Sequence, residues 1–168
     1  QLMRLTAPVH WAKLQLCRLG VDPERFVPAA PRTPGPVRLL SVGRLAPAKG
    51  QLLLLQACAA LQREGMDFEL VIVGDGPDRA GLEDAVRRQR LAGCVRFTGA
   101  LNQAEVRAEL ARADAFVLPS LAEGIPVVLM EAMASGVPCV TSPVNGIPEL
   151  IEHERSGLFA AAGDADAL

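Results

Sequence analysis

Short runs of apolar residues recur along this chain from Val37 onward, and a segment long enough for a helix separates each run from the next. Residues 70–73 and 115–118 show the pattern most clearly. A strand that reads as an uninterrupted apolar run belongs in a parallel sheet covered on both faces, and such strands alternate with crossover helices. The sequence therefore predicts an α/β fold, a doubly wound parallel sheet.

The same pattern gives the predicted elements and domain bounds. We predict strands over residues 37–42, 68–73, 95–97, 115–118, 139–142 and 157–159. We predict helices over about residues 50–63, 80–89, 103–113, 127–135 and 148–153, the third opened by the capping-box spacing Asn102…Glu105. Residues 1–36 hint at a strand at Leu14, Leu16 and Leu19 and are then rich in proline, so we interpret them as a lead-in segment or interdomain linker before one α/β domain over residues 37–168.

Composition excludes several classes of function. Net charge is −2 and aromatic residues are scarce, with five Phe, one Trp and no Tyr, so neither a basic surface nor a stacking platform for nucleic acid is present. The four cysteines are far apart and histidines number only two, which favours free thiols in a reducing compartment over a zinc site or a disulfide framework. Without a run long enough to span a membrane or a signal peptide, we expect a cytoplasmic protein.

Residues 118–142 place two carboxylates at unusual positions. Pro126 suits the first position of a helix, so Glu123 lies just before a helix N-terminus, where free N–H groups favour anions. Glu131 is the only charged residue of that apolar helix and must be paired if it is buried. The pattern favours a polyhydroxylated phosphate ester, with a vicinal diol on Glu131. The alternative is that Glu123 is a loop acid and Glu131 lies on a solvated rim.

Further candidates lie in loops that follow strands, because ligands bind at the carboxyl ends of parallel strands. Arg44 and Lys49 follow the first strand, and Gly43 allows close approach of the backbone. Two cations there can hold a diphosphate and neutralise its charge as it leaves; the alternative is that both are solvated. The loops after the second, third and fifth strands carry Gly74-Asp75-Gly76, Gly99 and Asn145-Gly146.

Two other motifs have simpler interpretations. Residues 74–77 begin like a dinucleotide fingerprint, but its sixth position is Arg79 instead of glycine, and the loop follows the second strand. We therefore interpret residues 74–77 as a tight turn between strand and helix. Asp164-Ala165-Asp166 matches a metal-binding D-x-D pattern, but a helix is predicted to begin there, which favours an N-cap. His10 and His153 indicate no nucleophilic triad.

Together the motifs resemble the C-terminal domain of family 4 retaining glycosyltransferases, the group 1 type with the GT-B fold. The resemblance covers about residues 20–168, and its specific part is Glu123-x7-Glu131 together with Arg44 and Lys49. The other matching segments are Val42-Gly-Arg-Leu, residues 70–77, Val95-x-Phe-x-Gly99, Pro119-Ser120, Glu123-Gly-x-Pro, Glu131-Ala-Met-Ala-x-Gly136 and Gly146-Ile-Pro-Glu149.

The resemblance implies a donor site for a nucleoside-diphosphate sugar in a Rossmann-like domain. It implies sugar transfer to a glycan, lipid or small-molecule acceptor, with retention of configuration and no obligatory metal or other cofactor. Arg44 and Lys49 would hold the diphosphate and Glu123 would contact the sugar, and these three are the predicted catalytic residues. The predicted substrate-binding residues, with Leu101 near the base and Glu131 on the ribose, are Gly43, Leu101, Gly124, Ile125, Pro126, Val127 and Glu131.

We expect the chain to be part of a longer protein, because it begins without Met and ends where a helix is predicted to start. The resemblance implies an N-terminal acceptor domain, absent here, through which the full-length protein could associate with the inner face of a membrane. We therefore expect this part to be inactive alone. Two alternatives remain open, a half-domain similar to a sugar-nucleotide epimerase and a non-catalytic nucleotide-binding module.

Overall fold

The computed structural model describes residues 2–15, 17–28 and 35–168. The strands are β1 (Val37–Val42), β2 (Phe68–Val73), β3 (Val95–Gly99), β4 (Ala115–Leu118), β5 (Cys139–Thr141) and β6 (Leu158–Phe159). The helices are α1 (Leu2–Leu5), α2 (Gln51–Arg63), α3 (Arg79–Arg88), α4 (Gln103–Leu110) and α5 (Val127–Ala134), with 3₁₀ turns at Pro8–Lys13, Pro47–Lys49 and Ile147–Glu149. None of the helices in these described ranges is long and apolar enough to cross a membrane.

All six strands pair in parallel in one sheet, in the order β3-β2-β1-β4-β5-β6. The first strand is therefore central, and the chain winds outward on one side as far as β3 before it crosses to β4 on the other side. The predicted doubly wound sheet is confirmed. In such a sheet ligands bind where the winding reverses, which here is the space between the loops after β1 and β4.

Apolar side chains cover both faces of the sheet, because alternate residues of a strand point to opposite faces. On β4, Phe116 and Leu118 belong to one buried cluster and Val117 to the other. The first cluster packs against α4 and α5, and the second against α2 and α3. We call these sides the α4/α5 face and the α2/α3 face.

Two glycines draw the loops at the carboxyl edge together. Gly50 has φ +68°, and a Cβ there would overlap the carbonyl oxygen of Pro119. Gly74 has φ +132°, and a Cβ there would overlap the carbonyl oxygen of Gly43. Both conformations favour glycine, and both contacts are backbone to backbone. The loop after β1 is thus fixed against the loops after β2 and β4, and the tight-turn interpretation of residues 74–77 is confirmed.

Two predicted elements differ in the structure. The strand at Leu14 and Leu19 is wrong, because within the described residues this segment pairs with no other strand, and Leu16 lies outside the described residues. The helix predicted over residues 148–153 is a single 3₁₀ turn, Ile147–Glu149. Pro148 lies in the first turn, where its ring is tolerated, so the proline does not explain the missing helix. The chain instead turns toward β6, which begins at Leu158.

Candidate functional site

The loop after β1 presents Arg44 and Lys49 at the carboxyl edge of the sheet. Buried Gln51 donates a hydrogen bond from Nε2 to the carbonyl oxygen of Arg44 (3.0 Å), which fixes the backbone there. The Arg44 side chain is exposed, and no carboxylate of the described chain pairs with it. The Cδ atom of Lys49 lies 3.9 Å from where a Cβ of Gly43 would be. A Cβ at Gly43 would therefore make only ordinary van der Waals contact with the stem of Lys49.

Glu123, in the loop after β4, is an ion-pair partner of Lys49. Its Oε1 lies 2.6 Å from Lys49 Nζ, and the two side chains are 7% and 27% exposed. Ser120, which is fully buried, donates a hydrogen bond to the same oxygen (2.7 Å). The other oxygen, Oε2, has no hydrogen-bond partner among the described residues and is not sealed from solvent. Lys49 is therefore paired with Glu123 and is not simply solvated, whereas the exposed Arg44 fits the solvated alternative.

Glu131 is surrounded in a similar way. The residue is only 8% exposed in α5, so the solvated-rim alternative is wrong as well. Gln103, at the start of α4, approaches its Oε1 with Nε2 at 3.4 Å. Within the described chain Oε2 of Glu131 has no partner, and it too is open to solvent. Each carboxylate therefore has one oxygen held by the protein and one oxygen free to accept hydrogen bonds from a ligand.

The N-terminus of α5 supplies free backbone donors between these two carboxylates. Pro126 is the N-cap and is extended, with φ −75° and ψ 113°. The N–H groups of Gly124, Ile125 and Val127 have no acceptor in the part of the chain that the structure describes. Free N–H groups at a helix N-terminus attract anions. Arg44 and Lys49 thus lie in the loop after β1 and these N–H groups lie in the loop after β4 and at the start of α5, and the Lys49–Glu123 pair joins the two loops.

The remaining predicted site residue, Leu101, lies in the loop between β3 and α4 and packs against the buried cluster of the α4/α5 face. It directly precedes the Asn102 cap, and Gln103 is the contact from this loop to Glu131. The predicted residues of the loops after β1, β3 and β4 therefore lie at one edge of the sheet. Among them, the direct side-chain contact that the structure shows is between Lys49 and Glu123.

Sequence reasoning assigned no role in the site to Ser120, Gln103 and Asn145, although it had placed Asn145 in a loop at the carboxyl edge and Ser120 in a segment of the family resemblance. Asn145 donates from Nδ2 to the carbonyl oxygen of Glu123 (2.8 Å) and has φ +47°. Its Asn-Gly dipeptide was a signal for a turn, but not for contact with Glu123. Ser120 lies three residues before Glu123, and that spacing was the available signal. Nothing in the sequence indicated Gln103.

The Asp164-Ala165-Asp166 motif forms a local turn. Oδ1 of Asp164 accepts hydrogen bonds from the N–H groups of Asp166 (3.0 Å) and Ala167 (3.1 Å). The helix that we predicted to begin here is not present over residues 164–168 of the described structure, so the predicted N-cap is wrong. Across the described residues, no three His, Cys, Asp or Glu side chains are grouped as metal ligands would be.

Comparison with known proteins identifies the family. Residues 36–168 match the family model described as glycosyl transferases group 1. The amylovoran biosynthesis glycosyltransferase AmsK of Erwinia amylovora is 44% identical over 163 residues, which are 93% of this chain and 40% of that protein. The chain thus spans about 40% of the length of this curated relative.

Solved structures agree with that match. Sucrose-phosphate synthase from Thermosynechococcus elongatus superposes with a TM-score of 0.79 at 28% identity, over 88% of this chain and 39% of that one. The C-terminal domain of the group 1 glycosyl transferase LpcC from Francisella tularensis superposes with a TM-score of 0.76 at 25% identity, over 87% of this chain and 82% of that domain. The chain therefore belongs to the group 1 glycosyltransferases, and its fold is that of their C-terminal domain.

Proposed function

We propose that this domain holds a nucleoside-diphosphate sugar, the donor of a glycosyl transfer to a glycan, lipid or small-molecule acceptor. The observation that carries the proposal is a group of cations, free N–H groups and two carboxylates, each with one oxygen that has no partner in the described chain. The group lies where the winding of the sheet reverses. Such a ligand needs positive charge for its phosphates and hydrogen-bond acceptors for its hydroxyl groups. The space between the loops after β1 and β4 offers both.

The diphosphate would lie between Arg44, Lys49 and the N-terminus of α5. An ammonium group has three N–H donors, so Lys49 can hold Glu123 and a phosphate oxygen together. Negative charge grows on the diphosphate as the bond to the sugar breaks, and fixed cations stabilise that charge. Because the two side chains supply this positive charge, we propose a reaction without an obligatory metal ion.

The hydroxyl groups would be held by the open oxygens of the two carboxylates. Glu131 Oε2 would accept from the ribose, next to the α4 loop where we place the base, and Glu123 Oε2 would accept from the transferred sugar. We further propose that transfer retains the anomeric configuration and needs the acceptor-binding part of a longer protein. Glu123 is proposed as a sugar ligand and is not assigned as a covalent nucleophile.

Calorimetric titration tests the two halves of this site separately. We expect the protein to bind at least one of UDP, GDP and ADP, and to bind inorganic pyrophosphate more weakly. Arg44→Ala should lower the affinity for both the nucleotide and pyrophosphate by tenfold or more, because a charge-assisted hydrogen bond contributes roughly 1.5–3 kcal/mol. Glu131→Gln should weaken only the nucleotide, by about tenfold, because pyrophosphate has no ribose.

The matched control is Arg63→Ala, which removes an exposed arginine at the far end of α2. It should leave the affinity for both ligands unchanged. Equal affinities in the wild type and Arg44→Ala would contradict the phosphate site. A large loss of stability in Glu131→Gln, with nucleotide affinity unchanged, would assign Glu131 to the fold and not to the ligand.

A further inference from the structure

We propose that Asn145 is a positioning residue that turns the backbone N–H groups of Gly124 and Ile125 toward the donor phosphates. The inference rests on the proposed function and extends it to a side chain of the loop after β5. Asn145 would not touch the ligand. It would act through the peptide groups that precede α5.

Asn145 fixes the orientation of the peptide between Glu123 and Gly124. The carbonyl oxygen of Glu123 accepts the hydrogen bond from Asn145 Nδ2 at 2.8 Å, so this carbonyl faces the loop after β5. The chain contains no cis peptide bond within the described residues. In a trans peptide the N–H group points away from the preceding carbonyl. The N–H group of Gly124 therefore points away from the loop after β5.

The next peptide has the same orientation. A Cβ at Gly146 would lie 2.5 Å from the carbonyl oxygen of Gly124 and 2.9 Å from Ile125 Cγ1, so this second carbonyl also lies against the loop after β5. The N–H group of Ile125 consequently points the same way as that of Gly124. Successive N–H groups that share a direction form a concave site for anions, and both lack an acceptor in the described chain.

The order of the strands says what these N–H groups face. β4 lies between β1 and β5 in the sheet. The β1 loop, which carries Arg44 and Lys49, therefore lies on the opposite side of the β4 loop from the β5 loop, and Lys49 pairs with Glu123 of the β4 loop. In our proposal the cations and the N–H groups face a shared space. A side chain that fixes the peptide orientation thereby fixes the anion site.

The backbone of Asn145 makes a clean variant available. Its φ of +47° lies in the left-handed region, which glycine adopts without strain. Asn145→Gly removes the amide while it keeps the turn, and the melting temperature should stay close to that of the wild type. The expected loss is about fivefold in affinity for pyrophosphate, the ratio that corresponds to one neutral hydrogen bond.

Amide NMR spectra supply the readout that a purely structural role would not change. In the wild type, titration with pyrophosphate should shift the amide signals of Gly124 and Ile125. In Asn145→Gly, the shift of Gly124 should be reduced along with the affinity. Unchanged affinity in this variant overturns the proposal. Weaker binding with an unchanged Gly124 shift assigns Asn145 to loop stability and overturns it too.

The wild-type titration separates this inference from the proposed function. If the wild type binds neither pyrophosphate nor any of UDP, GDP and ADP, the donor site itself is wrong and the role of Asn145 falls with it. If the wild type binds and Asn145→Gly binds equally well, only the role of Asn145 is wrong.

Discussion

Lys49 and Glu123 are 74 residues apart in the sequence, and their ion pair joins the loops after β1 and β4. Charges of opposite sign in a proposed phosphate site partly cancel. Glu123 therefore reduces the attraction of Lys49 for a diphosphate, while its second oxygen remains available to a sugar. A nucleoside diphosphate without a sugar would therefore experience the weakened attraction of Lys49, but it would make no contact with the second oxygen of Glu123.

The effect of Glu123→Ala should accordingly differ between binding and turnover. With the acceptor-binding part that we propose, we expect turnover to fall at least tenfold, because a contact made mainly in the transition state lowers kcat more than ground-state affinity. The affinity for free nucleoside diphosphate should stay the same or increase, because Lys49 loses a competing partner. Steady-state kinetics and calorimetry on the same variant measure both quantities.

Lys49→Ala is the matched comparison, since it removes the other member of the pair. It should weaken nucleoside diphosphate binding, in the opposite direction to Glu123→Ala. If Glu123→Ala lowers affinity and turnover together, Glu123 organises the phosphate loop and does not act as a sugar ligand.

The candidate side chains could be predicted because each departs from its surroundings in the sequence. Glu131 is the lone charge of an apolar helix, and Arg44 follows an apolar strand directly. Their partners could not be predicted in the same way. Gln103 is 28 residues from Glu131, and whether the two side chains meet depends on strand order and on how helices pack, which the local pattern does not specify.

Helix α4 begins at Gln103, which contacts Glu131, the proposed ribose ligand. The predicted capping box is confirmed: Asn102 accepts the N–H groups of Ala104 and Glu105, and the Glu105 side chain accepts the N–H group of Asn102. Asn102→Ala should reduce the free energy of unfolding by about 1 kcal/mol and lower Tm by roughly 2–4 °C for a chain of this size. Thermal and urea unfolding measure both.

Glu105→Gln is the control, because a glutamine at this position can also close a capping box. Glu105→Gln should reduce the free energy of unfolding clearly less than Asn102→Ala does. Equal losses in the two variants would show that the charge of Glu105 contributes as much to the start of α4 as the side chain of Asn102.

Most elements of the domain were predictable, since long periodic helices and apolar strands carry strong local signals. The failures were short segments. Leucines near residues 14–19 alternate as in a strand, but a strand also needs a neighbour to satisfy its backbone groups. Over residues 148–153 the sequence indicated a helix, yet the structure has only one 3₁₀ turn, Ile147–Glu149, before the chain turns toward β6.

Each face of the sheet buries a thiol, Cys139 on the α4/α5 face and Cys58 on the α2/α3 face. Burial raises the pKa of both to about 12, from an ordinary value of 9.0, and nearby Cys94 adds to the increase at Cys58. The unfolded chain releases these protons from about pH 9, whereas the folded chain keeps them until about pH 12. The contribution of these two thiols to the free energy of unfolding is therefore fully present below pH 9 and falls between pH 9 and 12.

Urea unfolding at pH 8 and pH 10 tests this dependence. Each buried thiol should cost about 1.4 kcal/mol of unfolding free energy at pH 10. The absence of tyrosine removes one other common group that titrates in this range. Replacing both Cys58 and Cys139 by Ala should reduce the fall, whereas Cys17→Ala should leave it unchanged, because Cys17 is exposed. An equal fall in all three proteins would mean that other groups cause it.

The fold class was predictable from the alternation of strands and helices, but the order of the strands was not. Parallel strands with similar apolar sequences can pair in more than one order, and the crossover lengths permit several. The central place of β1 and the neighbours of β4 come from the structure alone. The position of the site depends on that order, because it lies where the winding changes side.

The backbone contacts at Gly50 and Gly74 affect how binding measurements on this domain are to be understood. Loops that order only around a ligand lose conformational entropy at each binding event, and this loss lowers the measured affinity. Here the contacts to Pro119 and Gly43 make the loops lose that entropy during folding. A change in affinity after a side chain of the anchored β1 loop, such as Arg44, is removed should therefore report the lost contact itself, with little contribution from loop ordering.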